Sequence, residues 1–191
     1  MTLLLASASP RRAELLRAGG FQFEVQPAHI DESLHDGETP EQYVRRIADA
    51  KARAVHATAA DRVVLAADTT VVVNKQILGK PVDEADASRM LRLLSGREHD
   101  VLTAVTLARD RYAQTRIEVT NVEFAALSDE EIAWYVASGE PTDKAGAYAV
   151  QGLASRFVTR IDGSYSNVVG LPVALVYRML RELDSTLDKV T

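Results

Sequence analysis

The run from Val63 to Val73 constrains this chain more than any other feature. It is the most apolar stretch, and its length and β-branched content argue for a central strand, with a bend midway as an option. Asp68 interrupts it, between Val63-Val-Leu-Ala-Ala67 and Val71-Val-Val73. Burying a carboxylate without partners costs free energy or shifts its pKa, so something should sit beside it. One reading is an Asp at a bend or sheet end that accepts main-chain hydrogen bonds. The other is a metal ligand or general base held on rigid scaffold.

Around that strand the periodicity switches repeatedly between strand and helix. Leu3 to Ala6 reads as a short buried strand, and Pro10 suits the first turn of a helix to about Ala18, closed by Gly19-Gly20. Phe21 to Val25 alternates as a strand, and Asp31 to Glu38 is a polar loop. Thr39-Pro40-Glu41-Gln42 is a capping-box start for a helix to about Ala60. Asn74-Lys75-Gln76 is a turn, and Glu84 to Leu94 a helix stopped by Ser95-Gly96. His99 to Ala108 and Gln114 to Phe124 form a hairpin around Asp110-Arg111. Ser128-Asp-Glu-Glu131 opens another capped helix, ending at Ser138-Gly139. Beyond it come a glycine-punctuated segment from Gly146 to Gly152, a strand from Phe157 to Ile161 and a helix from Leu171 to Leu183, with the last residues expected to fray. The result is an α/β chain with a mixed sheet, without repeats or linkers.

At 191 residues a single domain, or one with a small lobe, is expected over 1–191. The net charge of −5 disfavours long nucleic acid as a partner, so any phosphate binding must come from a local basic cluster. With no cysteine, disulfides, thiolate zinc sites and a Cys nucleophile are all excluded. The start MTLLLASASPRR is too briefly apolar for a signal peptide, and no run approaches the ~18 apolar residues of a membrane span, so a cytoplasmic location is expected.

Several basic residues stand out against that background. Val44, Ile47, Ala48, Lys51, Ala54 and Val55 share one helical face, which puts Lys51 inside an apolar stripe. It either snorkels or points its ammonium inward at an anion. An ammonium there costs desolvation in the empty protein, so Lys51→Met is expected to keep or raise thermal stability while crippling activity. Arg11 and Arg12 open a helix behind Ser7-Ala-Ser9-Pro10. Main-chain N–H groups, hydroxyls and guanidinium groups gather there as a phosphate needs, although an ordinary Ser9 N-cap and a solvated Arg pair fit the same residues. Arg12 lies close to the buried side set by Leu15 and Leu16.

Gly79-Lys80-Pro81 puts another Lys in a stiff turn but lacks P-loop spacing. Asp31-Glu32 offers a second oxygen ligand or is simply solvated. His29, His35, His56 and His99 show no ligand spacing and read as structural. Oxygen ligands point to Mg²⁺ or Mn²⁺ as the divalent cofactor.

Taken in order, Ser7-Ala-Ser9-Pro-Arg-Arg12, Lys51, Ala67-Asp68-Thr69-Thr70, Gly79-Lys80-Pro81, Asp143-Lys-Ala-Gly-Ala-Tyr148 and Gln151-Gly152 resemble the Maf family of nucleotide pyrophosphatases across essentially the whole chain. The resemblance implies an elongated α/β fold of the inosine-triphosphate-pyrophosphatase type, a twisted mixed sheet flanked by helices, with two lobes around a deep cleft. By that similarity Asp68 is the proton acceptor, Arg12, Thr69 and Gln151 select the base, and Ser9, Arg11, Glu32, Lys51 and Lys80 are the other polar cleft residues. The Ala-Asp-Thr-Thr and Asp-Lys-Ala-Gly-Ala-Tyr forms look like the branch acting on dTTP and UTP.

The reaction this resemblance implies is hydrolysis of a nucleoside triphosphate to the monophosphate and pyrophosphate. Glu32 and Asp68 would hold the metal, Arg11, Lys51 and Lys80 would offset phosphate charge, and Ser7 would complete the phosphate-binding segment. The rival readings are the same chemistry on 7-methyl-GTP and a non-catalytic, nucleotide-binding inhibitor of septum formation. The expected partner is the nucleotide, with neither nucleic acid nor membrane, and a homodimer is left open.

Overall fold

A computed structural model describes residues 2–187. The expected fraying of the last residues lies outside the described residues. The strands are β1 (Leu3–Leu5), β2 (Phe23–Val25), β3 (Val64–Val73), β4 (Gln76–Leu78), β5 (Glu98–Arg109), β6 (Tyr112–Phe124) and β7 (Val158–Asp162). The helices are α1 (Pro10–Ala18), α2 (Pro40–His56), α3 (Glu84–Leu94), α4 (Asp129–Ala137), α5 (Tyr165–Val169) and α6 (Val173–Leu187).

The strands form one seven-stranded sheet in the order β2-β1-β3-β5-β6-β7, with β4 paired to β3. It is mixed: β1 runs parallel to β2 and β3, while β3 with β4 and β6 with β7 are antiparallel. This is the α/β class expected from the sequence. By contact density the chain divides into two units, one of residues 1–68, 103–118 and 170–191, the other of 69–102 and 119–169. The divisions in β5 and β6, and that in β3 between Asp68 and Thr69, fall within continuous strands.

In the first unit, strand alternation sorts the core into two layers. Leu3, Leu5, Leu65 and Ala67 pack on one side with Leu16 of α1 and Leu175, Val176 and Met179 of α6. Leu4, Ala6, Val64 and Ala66 pack on the other with Ala52 and Val55 of α2. Strands covered on both faces need apolar residues at every position, which is why β1 and β3 read as continuous apolar runs. The second unit has its own core, in which Val71 and Val73 join Leu91 and Leu94 of α3, Phe124, Tyr135, Tyr148 and Phe157.

Local signals set the helix starts. Thr39 accepts from Gln42 N while Gln42 Oε1 accepts from Thr39 N, and Ser128 and Glu131 do the same for α4. Two elements escape the sequence patterns. β4 follows a tight turn in which Asn74 and Lys75 both have positive φ, 50° and 64°, and its three residues are too few to show alternation. The single-turn helix α5 is likewise too short to show a period. Among the described residues no helix is long and apolar enough to cross a membrane.

Candidate active site

The alternation of β3 aims Asp68 into the same layer as Val64 and Ala66, the layer covered by α2. On α2 the buried residues are Val44, Ile47, Ala48, Lys51, Ala52 and Val55. The expected stripe is therefore right except at Ala54, which is exposed, with Ala52 buried in its place. Helix and strand thus deliver an ammonium and a carboxylate to one place. Lys51 Nζ donates to Asp68 Oδ1 at 2.9 Å, and lies 3.0 Å from Glu32 Oε1. Lys51 and Asp68 are 8% and 6% exposed, whereas the Glu32 side chain is 47% exposed, so one anion is deep and the other faces solvent.

Burial pushes the Asp68 carboxyl above its ordinary range. The ammonium of Lys51 and the guanidinium of Arg12 oppose that shift, and the charge of Glu32 adds to it. This pairing reverses one expectation. Lys51→Met removes desolvation of the ammonium, but it also strips a buried carboxylate of its hydrogen-bonded cation. The variant is therefore expected to lose stability, not gain it.

Behind the strand, Arg12 is 8% exposed, on the buried side of α1 as its spacing from Leu15 and Leu16 predicts. Its Nε donates to Gly170 O at 2.8 Å, and its Nη1 to Ala67 O at 2.8 Å and to Ser7 Oγ at 3.2 Å. Ser7 Oγ also accepts from Ser9 N at 3.2 Å. Ser9 is the N-cap of α1, yet its hydroxyl makes no capping hydrogen bond, and Pro10 occupies the first turn. Arg11, next to it, is half-buried. Burial lowers the Arg12 pKa against the pull of Asp68 and Glu32.

Tyr43 is the residue that sequence reasoning missed here. Its hydroxyl donates to Glu32 O at 3.1 Å, and burial, helped by the charges of Asp68 and Glu32, pushes its pKa up to about 12. The available signal is its i, i+4, i+8 spacing with Ile47 and Lys51 on α2.

Thr69, Lys80 and Gln151 belong to the second unit. Thr69 is half-buried, and its neighbour Thr70 is buried with a hydroxyl that has no hydrogen-bond partner. Lys80 is exposed, beside buried Pro81. Its turn is tied down by Gly146, whose N–H donates to Gly79 O at 3.0 Å. Gly146 has φ 68°, and an added Cβ would meet Val71 Cγ2 at 2.8 Å, so no larger residue fits. Tyr148 continues this segment into the core, where its hydroxyl pairs with His99 Nε2 at 2.9 Å. Gln151 is exposed. On α4, Trp134 packs edge-on to Phe157, and the Arg156 guanidinium sits 4.2 Å from the centre of its ring.

Among the described residues no group of three or more His, Cys, Asp or Glu side chains is arranged to hold a metal ion. Glu32 and Asp68 are nevertheless two carboxylates already converged on one cation, the Lys51 ammonium. That donor set suits Mg²⁺, which is commonly bound through one or two carboxylates together with substrate phosphates.

The solved structure of the Staphylococcus aureus Ham1 protein covers 95% of this chain and 99% of its own at a TM-score of 0.50 and 14% identity, a likeness of fold alone. A dTTP/UTP pyrophosphatase of Koribacter versatilis is 55% identical over 181 residues, 95% of this chain and 94% of the relative. A dTTP/UTP pyrophosphatase of Escherichia coli O157:H7 is 50% identical over 189 residues, covering 98% and 96%. The family model described as Maf-like protein matches residues 2–183, and the chain belongs to that family.

Proposed function

We propose that the protein is a nucleoside triphosphate pyrophosphatase that splits dTTP and UTP into the monophosphate and pyrophosphate. The observation that carries the chemistry is the buried Lys51–Asp68 pair with Glu32 at its solvent side. The substrate class rests on the relatives at about half identity that bear that name.

Asp68 is the general base. Water attacks the α-phosphorus, the bond from that phosphorus to the bridging oxygen breaks, pyrophosphate leaves, and the water's proton passes to an Asp68 oxygen. A carboxylate whose pKa burial has raised holds that proton more strongly than one in water. Lys51 keeps the carboxylate oriented, and with Arg11 and Lys80 offsets negative charge on the phosphate oxygens. Ser7 and Ser9 line the start of α1, where N–H groups favour an anion. Glu32 and Asp68 would supply the protein oxygens for Mg²⁺ or Mn²⁺, which when bound acidifies water and screens phosphate charge.

Arg12, Thr69 and Gln151 are assigned to the base. A guanidinium, a hydroxyl and an amide offer the donors and acceptors that a uracil or thymine edge requires. The proposed location is the cytoplasm, and the nucleotide is the only partner the reading needs. Pyrophosphate release across a panel of triphosphates tests it: dTTP and UTP should head the panel, with GTP poor. A preference for 7-methyl-GTP, or no release from any nucleotide with Mg²⁺ or Mn²⁺, would overturn it.

A further inference from the structure

Glu140 lies outside every motif singled out in the sequence, yet its carboxylate is the hub of the segment that carries Gln151. Oε1 accepts from the Tyr135 hydroxyl at 2.8 Å and from Ala154 N at 3.4 Å, and Oε2 accepts from Leu153 N at 3.0 Å. The Tyr135 hydroxyl in turn accepts from Ala149 N at 3.2 Å. The chain is therefore gripped two residues before Gln151 by Tyr135 and two residues after it by Glu140. The grip leaves no space at the residue between: a Cβ on Gly152 would collide with the Glu140 carboxylate. Glu140 is itself anchored, since its carbonyl oxygen accepts from Lys144 Nζ at 2.7 Å and its N–H donates to Ser138 Oγ at 3.2 Å.

The chemistry of this clamp is suited to rigidity. An ionised carboxylate accepting main-chain N–H bonds makes stronger hydrogen bonds than a neutral acceptor. Tyr135 is fully buried, and burial, then its bond to Glu140, raises its pKa, so the hydroxyl keeps the proton it donates. The Gln151 side chain projects exposed from this fixed backbone. A long amide side chain reads a base edge selectively only if its backbone does not drift.

We propose that Glu140, with Tyr135, is a positioning residue for base selection: it fixes the Ala149–Ala154 backbone so that Gln151 presents its amide in one geometry. This rests on the assignment of Gln151 to the base. The test measures kcat/KM for UTP and for GTP on the wild type, Gln151→Ala, Glu140→Gln and the double variant. Glu140→Gln keeps the volume, but its NH₂ must face at least one N–H donor. It should narrow the UTP/GTP ratio by about tenfold, as loss of a charged hydrogen bond implies. In the Gln151→Ala background it should narrow the ratio no further.

A Glu140→Gln protein with lowered Tm and an unchanged ratio, beside a narrowed ratio in Gln151→Ala, would leave Glu140 a structural residue and overturn the proposal. An unchanged ratio in Gln151→Ala would instead remove the base assignment, and the proposal with it. Should Glu140→Gln fail to fold, Tyr135→Phe provides the same comparison, since it frees Ala149 N and removes the hydroxyl donor to Oε1, leaving Ala154 N. A narrowed ratio there supports the clamp, and an unchanged one sinks it.

Discussion

Arg12 Nη1 donates to the carbonyl oxygen of Ala67 at 2.8 Å, so the residue that precedes Asp68 is held by a buried guanidinium. The same side chain reaches Gly170 O and Ser7 Oγ, which ties β3 to the connection between α5 and α6 and to the Ser7–Ser9 segment. A planar fork is needed to meet acceptors in those different directions.

Arg12→Lys keeps the charge and loses the fork. At least one buried acceptor is then unpaired, which costs about 1–3 kcal/mol. The Tm should fall by at least about 3 °C for a chain of this size, and kcat/KM should fall with it. An Arg12→Lys protein with unchanged Tm would show that a point charge suffices.

Lys51→Met should lower the Tm in a pH-dependent way. Without the ammonium the Asp68 pKa climbs further above its ordinary 3.8. A carboxyl raised in the fold stabilises it below the unfolded value, and that stability is lost as pH rises through the folded value. The Tm deficit against wild type should therefore grow as pH rises above the ordinary carboxyl range. A deficit that is flat or shrinks with pH would contradict the pairing.

Asp68→Asn should fold normally and lose turnover by ~10²-fold or more if the carboxylate takes the proton. The substitution takes the buried anion from the Lys51 ammonium and leaves it only the solvent-facing Glu32, so near neutral pH the variant should melt somewhat below wild type while staying folded. Circular dichroism melting together with pyrophosphate release decides it; a folded variant with near-normal kcat rules out Asp68 as the base.

Activity should vanish in excess EDTA and return with Mg²⁺ or Mn²⁺. Glu32→Gln should raise the Mg²⁺ concentration needed for half-maximal rate by at least about tenfold, since one of two carboxylates is gone. An unchanged Mg²⁺ requirement would take Glu32 out of the metal site.

His99 should make the second unit acid-sensitive. Burial lowers its pKa from 6.5 to about 4, and Nδ1 is buried without a hydrogen-bond partner. A histidine depressed in the fold stabilises it above the unfolded pKa, and the stability is lost as pH falls from 6.5 towards 4. At about 1.4 kcal/mol per pKa unit the loss approaches roughly 3 kcal/mol. His99→Gln, which keeps a partner for Tyr148, should flatten Tm across that window. A slope equal to wild type would assign the acid sensitivity elsewhere.

Much of this is legible in the sequence where a charge breaks a pattern. Asp68 stands out in an apolar strand and Lys51 in an apolar helical stripe, and capping boxes place the starts of α2 and α4. What periodicity does not carry is which partner a buried charge meets. Lys51 and Asp68 find one another because β3 turns its even-numbered side chains towards α2, a matter of packing between elements. Spacing puts Arg12 near the buried side, but two of its acceptors are main-chain oxygens far along the chain, and every residue has such an oxygen. Glu140 is invisible for the same reason, since two of its partners are N–H groups. Tyr43 escapes notice because an aromatic at helical spacing reads as core.

The chain's one tryptophan, Trp134, stands next to Tyr135 on α4, with the Arg156 guanidinium against its indole ring. Its emission is therefore a built-in optical probe of the second unit, sensitive to quenching and polarity changes where the Tyr135–Glu140 grip begins. The first unit has no indole at all. Fluorescence and far-ultraviolet dichroism recorded on the same melt would then report whether the two units unfold in one cooperative step or in succession.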